Sequence, residues 1–265
     1  MKTEKSPIIA IANQKGGVGK TTTAINLAQA LALQGRKVLL VDLDPQGNAT
    51  QGMGIDLETI TNSIAELIRN REIQAESVIY KGNGVDLIPS TPLLARVERE
   101  LVGTTNGELR FAQRIRELRG KYDLILVDTP PTFGPLMNSA LNAAEGLIVP
   151  VDAGFFALMG IKELLAEIQE IRCTNPTLSI LGYLLTLGDH TKVSEDCYEA
   201  LVSNFGNEVF KTKIRRSVKL KESPALRRTI FHHAPESTGA EDYLALATEV
   251  STRLPVSTSE VSSHV

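Results

Sequence analysis

Tryptophan is absent from the 265 residues, and five tyrosines and seven phenylalanines bring the aromatic share to only 5%. Single-stranded nucleic acid is bound largely by stacking on aromatic platforms, so this poverty argues against that class. Cysteine is scarce as well. Cys173 and Cys197 stand apart, without the spacing of a zinc or iron–sulfur ligand set. They read as two reduced thiols of a cytosolic chain. No apolar run approaches the ~18 residues that a membrane span requires, and Met1–Pro7 contains no apolar core of a secretory signal. The expectation is a cytoplasmic protein. Charge of one sign is not in excess either: the net charge is −3, so global electrostatics do not mark a nucleic-acid binder.

What is present is ordinary in bulk and specific in place. Hydrophobic residues at 42% and charged residues at 22% fit one globular domain. Short runs rich in Ile, Leu and Val recur at Ile8–Ala12, Val38–Asp42, Val85–Pro89, Leu124–Asp128, Leu147–Val151 and Ile180–Leu187. Continuous apolar runs of this length suit parallel strands buried on both faces. Helical patterns separate them at Thr21–Leu33, Ser63–Asn70, Leu93–Leu101, Glu108–Arg119, Pro135–Ala144, Leu158–Arg172 and Val193–Asn204, with a last amphipathic helix over Gly239–Leu254. Ser63 with Glu66 has the spacing of a capping box. The alternation predicts a single α/β domain over residues 1–254, a mostly parallel sheet covered by helices on both faces. Residues 255–265, rich in Ser and Val without a packing pattern, are expected to be a disordered tail.

The first strand runs into Asn13-Gln-Lys-Gly-Gly-Val-Gly-Lys-Thr-Thr22 and then into a helix. Strand, glycine-rich loop and helix in that order form a phosphate loop. Backbone N–H groups of Gly16, Gly17, Val18, Gly19, Lys20, Thr21 and Thr22 can point at phosphate oxygens, and the helix dipole adds to the attraction. Lys20 suits the β- and γ-phosphates, and the Thr21 hydroxyl suits Mg²⁺. The usual first glycine is replaced by Gln14, and a second lysine, Lys15, precedes the Gly-Gly pair. Two further strands end in acids: Asp42, followed by Leu-Asp44-Pro-Gln-Gly, and Asp128, followed by Thr-Pro-Pro. Carboxylates at the C-terminal ends of buried strands lie where open α/β sheets bind ligands.

The segment Lys15-Gly-Gly-Val-Gly-Lys-Thr-Thr resembles the deviant Walker A motif of the ParA/MinD group of P-loop ATPases, and the whole pattern from Ile8 to about Leu254 resembles the small ParA/Soj partition ATPases. That resemblance implies ATP and Mg²⁺ as ligands, slow hydrolysis stimulated by a partner, and Lys15 reaching across an ATP-assembled homodimer. It implies Asp44 positioning the attacking water, with Thr21, Asp42 and Asp128 serving the metal. The stretch from Phe210 to Pro224 looks like a family segment written Ile-Pro-Arg-Asn-Val-Arg-Leu, with Arg215 in place of the proline and Lys219 in place of the second arginine. The family's adenine contacts lie partly there, so Arg215, Arg216 and, on the far wall, Thr186 are implied base-pocket residues.

Between Lys211 and Arg228 stand eight basic residues and one acid, Glu222. In chromosomal relatives such a segment binds double-stranded DNA without sequence preference, which implies Arg216, Lys219, Lys221, Arg227 and Arg228 as DNA contacts and association with the nucleoid. His232 and His233 are expected at the surface. The resemblance also implies a ParB-like or cargo-adaptor partner and ATP-driven segregation of a chromosome, plasmid or other cargo. Few residues precede the first strand, so no N-terminal operator-reading domain is expected. A MinD-like membrane cycle is the alternative, but it needs a basic amphipathic C-terminal helix, and residues 255–265 hold neither Lys nor Arg. A relative of the nitrogenase iron protein would need cluster-bridging cysteines that this chain does not space correctly.

Overall fold

A computed structural model describes residues 6–154 and 157–254; the expected tail lies outside them. In chain order the elements are β1 Ile8–Ile11, α1 Lys20–Leu33, β2 Val38–Asp42, α2 Asn48–Gly52, α3 Ile64–Arg69, β3 Tyr80–Gly82, β4 Val85–Ile88, α4 Leu94–Val102 and α5 Gly107–Arg116. They continue with β5 Leu124–Asp128, α6 Pro135–Ala143, β6 Gly146–Asp152, α7 Ala157–Arg172, β7 Ser179–Thr186, α8 Lys192–Phe205, α9 Val218–Ala225, α10 Ile230–His233 and α11 Thr238–Arg253. The seven strands form one sheet in the order β3-β4-β2-β5-β1-β6-β7, parallel except for the edge pair β3–β4.

Alternate residues of the central strands feed two separate cores. Ile8, Ala10, Leu39, Val41, Ile125 and Val127 face one apolar layer with α3 to α8. Ile9, Ile11, Leu40, Leu126 and Ile148 face the other, with α1, α2 and α9 to α11. Helices on both sheet faces explain why these strands read as unbroken apolar runs. The Ser63–Glu66 capping box forms as expected.

All six expected strands are present, with boundaries shifted by a residue or two. Strand β3 was not expected. Its two-residue link to β4, Asn83-Gly84, has φ of 49° and 85°, the positive pair that a tight hairpin turn demands and that Asn-Gly supplies. Helices α2, α9 and α10 are short and carry no apolar stripe, so no helical pattern marks them in the sequence.

Against the last strand, Gly182 permits a close approach: a Cβ there would lie 2.4 Å from Phe210 Cε2 and 2.7 Å from an Arg253 guanidinium nitrogen. Arg253 stacks on the Phe210 ring, with its carbon Cζ 4.1 Å from the centroid, and donates to Leu181 O and Val209 O. Gly182→Ala is therefore expected to cost ~1–3 kcal/mol through overpacking. Urea denaturation measures it, and an unchanged midpoint would contradict the packing.

Candidate functional site

The parallel strands all deliver their C-terminal ends to one edge. The register sets Asp42 beside Asp128 across β2–β5, Ile11 beside Asp128 across β1–β5, and Asp152 beside Thr186 across β6–β7. Neighbouring strands lie ~4.8 Å apart, so this pairing alone brings the two acids of the sequence motifs side by side. The loop between β1 and α1 lies over them.

Gly17 and Gly19 take φ of 77° and 85°, left-handed values that glycine adopts without strain. Gly19 is the N-terminal cap residue of α1, and no side chain caps that helix end. Its free N–H groups suit an anion. No neighbouring atom lies within 4 Å of a Cβ built at Gly16 or Gly17, so the backbone there is open to a ligand. On the other side the loop is pinned: Thr186 Oγ1 donates to Val18 O at 2.8 Å. Lys20 is buried and donates from Nζ to Lys15 O at 3.2 Å. Burial lowers its pKa, against the opposing pull of Asp128 and Asp44.

The two opposed carboxylates differ in their surroundings. Asp42 accepts from Thr50 N and Thr50 Oγ1, both at 2.7 Å, and from Asp44 N at 3.1 Å. Burial pushes its pKa up to about 6, while those hydrogen bonds from Thr50 and Asp44 resist the rise. Asp128 is equally buried, yet neither carboxylate oxygen has a hydrogen-bond partner of normal geometry. Burial, then the neighbouring Asp42 charge, holds its pKa well above the usual range, with Thr21 and Lys20 opposing. An unpartnered buried carboxyl is costly, so its persistence points to a ligand. Among the described residues no group of three His, Cys, Asp or Glu side chains is arranged to hold a metal alone. Mg²⁺ is typically held by one or two carboxylates, a hydroxyl and substrate phosphates. Asp128 with Thr21 fits that donor set, whereas the oxygens of Asp42 are committed to folding the next loop.

That loop bends as Pro45 and Gly47 suggest. Gly47 N donates to Asp44 O at 2.9 Å, Gln46 N donates to Asp44 Oδ1 at 3.0 Å, and Gly47 has φ of 64°. The bend returns Asp44, almost fully buried, to the same crevice as Lys20. Thr50, which no sequence pattern singled out, is the residue that fixes Asp42. Its hydroxyl also accepts from Ser90 N at 2.9 Å.

Beside the phosphate loop lies a cavity of about 390 Å³, lined by Gly17, Gly19, Thr22, Thr186, Arg216, Lys221 and Tyr243 among others. Tyr243 ties α11 to α1 through Thr23 at 3.2 Å. Arg215 lines the cavity too, but its guanidinium is bound to Asp242 and Glu241. Its backbone N–H donates to Asp242 Oδ2 at 2.9 Å. A proline there could not donate, so the departure from the family segment goes with a link to α11. Arg216, Lys219, Lys221, Arg227 and Arg228 are all exposed. Lys219 pairs with Glu222 and Arg227 with Asp56; Arg216, Lys221 and Arg228 have no acidic partner within ion-pair distance among the described residues. Of the two histidines expected at the surface, His232 is exposed and His233 is half-buried, with its Nε2 3.0 Å from Glu222.

Thr50→Val keeps the side-chain shape but leaves Asp42 short of a donor. It is expected to cost ~1–3 kcal/mol of stability in denaturant melts; a neutral result would show that Asp42 does not depend on that hydroxyl.

Known proteins match this chain closely. A family model described as an AAA domain covers residues 6–180. The chromosome-partitioning ATPase Soj of Thermus thermophilus is 46% identical over 248 residues, 93% of this chain and 96% of the relative. The sporulation initiation inhibitor protein Soj of Bacillus subtilis is 40% identical over 92% of this chain and 97% of its own. Among solved structures, a protein called cobyrinic acid a,c-diamide synthase from Mycobacterium smegmatis, with a bound ATP analogue and magnesium, superposes with a TM-score of 0.80 at 32% identity, covering 92% of this chain and 93% of that one. A phosphate loop with a second lysine, strand-tip acids and near-full-length identity of this order agree: the chain belongs to the ParA/Soj family of P-loop partition ATPases.

Proposed function

We propose that this chain is an ATP-driven switch for DNA segregation or cargo positioning, acting in the cytoplasm on the nucleoid. ATP with Mg²⁺ assembles two copies into a dimer, the dimer holds double-stranded DNA without reading sequence, and a ParB-like or cargo-adaptor protein stimulates hydrolysis and release. The observation that carries this is the double position of the basic segment. Arg216 and Lys221 line the cavity beside the phosphate loop and are also exposed, without an acidic partner among the described residues. One segment therefore faces both the nucleotide's place and the outside.

In this scheme the N–H groups from Gly16 to Thr22 and the Lys20 ammonium bind the phosphates. Thr186, with the backbone of Arg215 and Arg216, borders the base. Thr21 and Asp128 would hold Mg²⁺, with Asp42 shaping the loop around them, and the ion would supply positive charge against the phosphate oxygens. Asp44 orients the attacking water, and Lys15 enters the other protomer's site as a cation placed where charge develops on the transferring phosphoryl group.

Nucleotide-dependent DNA binding tests the scheme. Anisotropy of a labelled random-sequence duplex is expected to show binding with Mg·ATP, not with ADP, weakening steeply with salt. Lys219→Glu with Arg228→Glu, neither of which lines the cavity, should reduce DNA affinity at least ~10-fold, since each phosphate contact adds to a steep electrostatic dependence, and should spare ATP-dependent dimerisation. Binding that ignores nucleotide, or survives both reversals, would contradict the scheme. Asp44→Ala should slow ATP turnover without weakening ATP binding.

A further inference from the structure

Lys15 is held by its own protomer at three points. Asn13, buried, donates from Nδ2 to Pro150 O at 2.7 Å and accepts from Lys15 N at 3.0 Å, fixing the lysine backbone against the end of β6. The Lys20 ammonium donates to Lys15 O. The Lys15 ammonium donates to both carboxylate oxygens of Asp152, at 2.9 and 2.8 Å. Asp152 is the last residue of β6, and the chain turns sharply after it, with Gly154 N donating to Asp152 O at 2.7 Å. A Cβ at Gly154 would lie 3.2 Å from Asp152 Oδ2, so glycine there leaves the carboxylate room to face the loop. The lysine side chain nevertheless remains 45% exposed.

A lysine cannot serve two sites at once. The charge that would enter a second protomer is neutralised in cis, by an acid that binds no other described cation. We propose that Asp152 is a positioning residue for Lys15, parking its ammonium on its own subunit until a nucleotide-loaded second copy competes for it. The proposal rests on the trans role of Lys15 given above and adds a cost to assembly. Half-exposed ion pairs of this kind shift an equilibrium by about 1.4- to 5-fold each. A symmetric dimer must release two, so parking weakens assembly by about two- to thirtyfold. The phosphates of a bound ATP supply the competing negative charge, which makes closure depend on nucleotide rather than on encounter alone.

The test is sedimentation equilibrium of the full chain with Mg²⁺ and a non-hydrolysable ATP analogue, comparing wild type, Asp152→Asn, Asp152→Ser and Lys15→Ala. Affinity for Mg·ADP is measured in parallel. Removing the carboxylate is expected to tighten the dimer about two- to thirtyfold and to leave ADP affinity within about twofold; Asp152→Ser, a smaller side chain, guards against a misfit of the amide. Dimer affinity that is unchanged or weaker in both Asp152 variants overturns the proposal, and so does a change in ADP affinity as large as the change in dimerisation. If Lys15→Ala dimerises as well as wild type, the trans role of the lysine fails first. If Lys15→Ala loses the dimer while both Asp152 variants match wild type, the trans role stands and only the parking is wrong.

Discussion

Two buried carboxylates in register on adjacent strands, Asp42 and Asp128, are the constraint around which the rest of this structure is organised. Parallel pairing of β2 and β5 sets them side by side, and burial disfavours the charge on each. The chain satisfies one and leaves the other open. Asp42 spends its oxygens on Thr50 and Asp44 and thereby folds the loop that brings Asp44 back to the crevice. Asp128 is left without a hydrogen-bond partner of normal geometry, beside Thr21 and a buried lysine. The arrangement is incomplete in a way that phosphate and a divalent cation would complete.

The second half of the molecule is tied to that centre by few but specific links. Thr186 pins the phosphate loop to β7, Tyr243 joins α11 to α1, and Asp242 on α11 holds Arg215 by backbone and guanidinium together. These fix the segment that walls the cavity beside the phosphate loop while leaving Arg216, Lys221 and Arg228 exposed. A nucleotide in the cavity would touch the same short stretch of chain that offers its charges to the surface.

Much of this was legible in the sequence. Strands buried on both faces announce themselves as apolar runs, and the phosphate loop and strand-tip acids follow from residue types in fixed order. Strand β3 is not legible in this way: Asn83-Gly84 carries a hairpin-turn signal, but Tyr80–Gly82 is too short and polar to register as a strand. Helices α9 and α10 have no apolar stripe, and Pro224 breaks the helical pattern of the first. The least legible links join residues far apart in the chain: Lys15 to Asp152, Arg215 to Asp242, Thr50 to Asp42 and Ser90. No periodicity encodes them. The one clue lay in Arg215 itself, where a residue with an N–H stands in place of the family's proline; the structure supplies its acceptor. His232 is exposed, whereas α10 sets His233 half-buried beside the carboxylate of Glu222, a contact eleven residues apart that no sequence pattern marks.

The reading rests above all on Asp128, the open buried carboxyl that with Thr21 would hold Mg²⁺ and, through the ion, the phosphates of ATP. Calorimetric titration of ATP into wild type and Asp128→Asn, each with and without Mg²⁺, tests that directly. The account predicts that Mg²⁺ tightens ATP binding in wild type and has little effect in the variant, whose metal-free ATP affinity stays close to that of wild type. Full Mg²⁺ dependence retained in Asp128→Asn would contradict it.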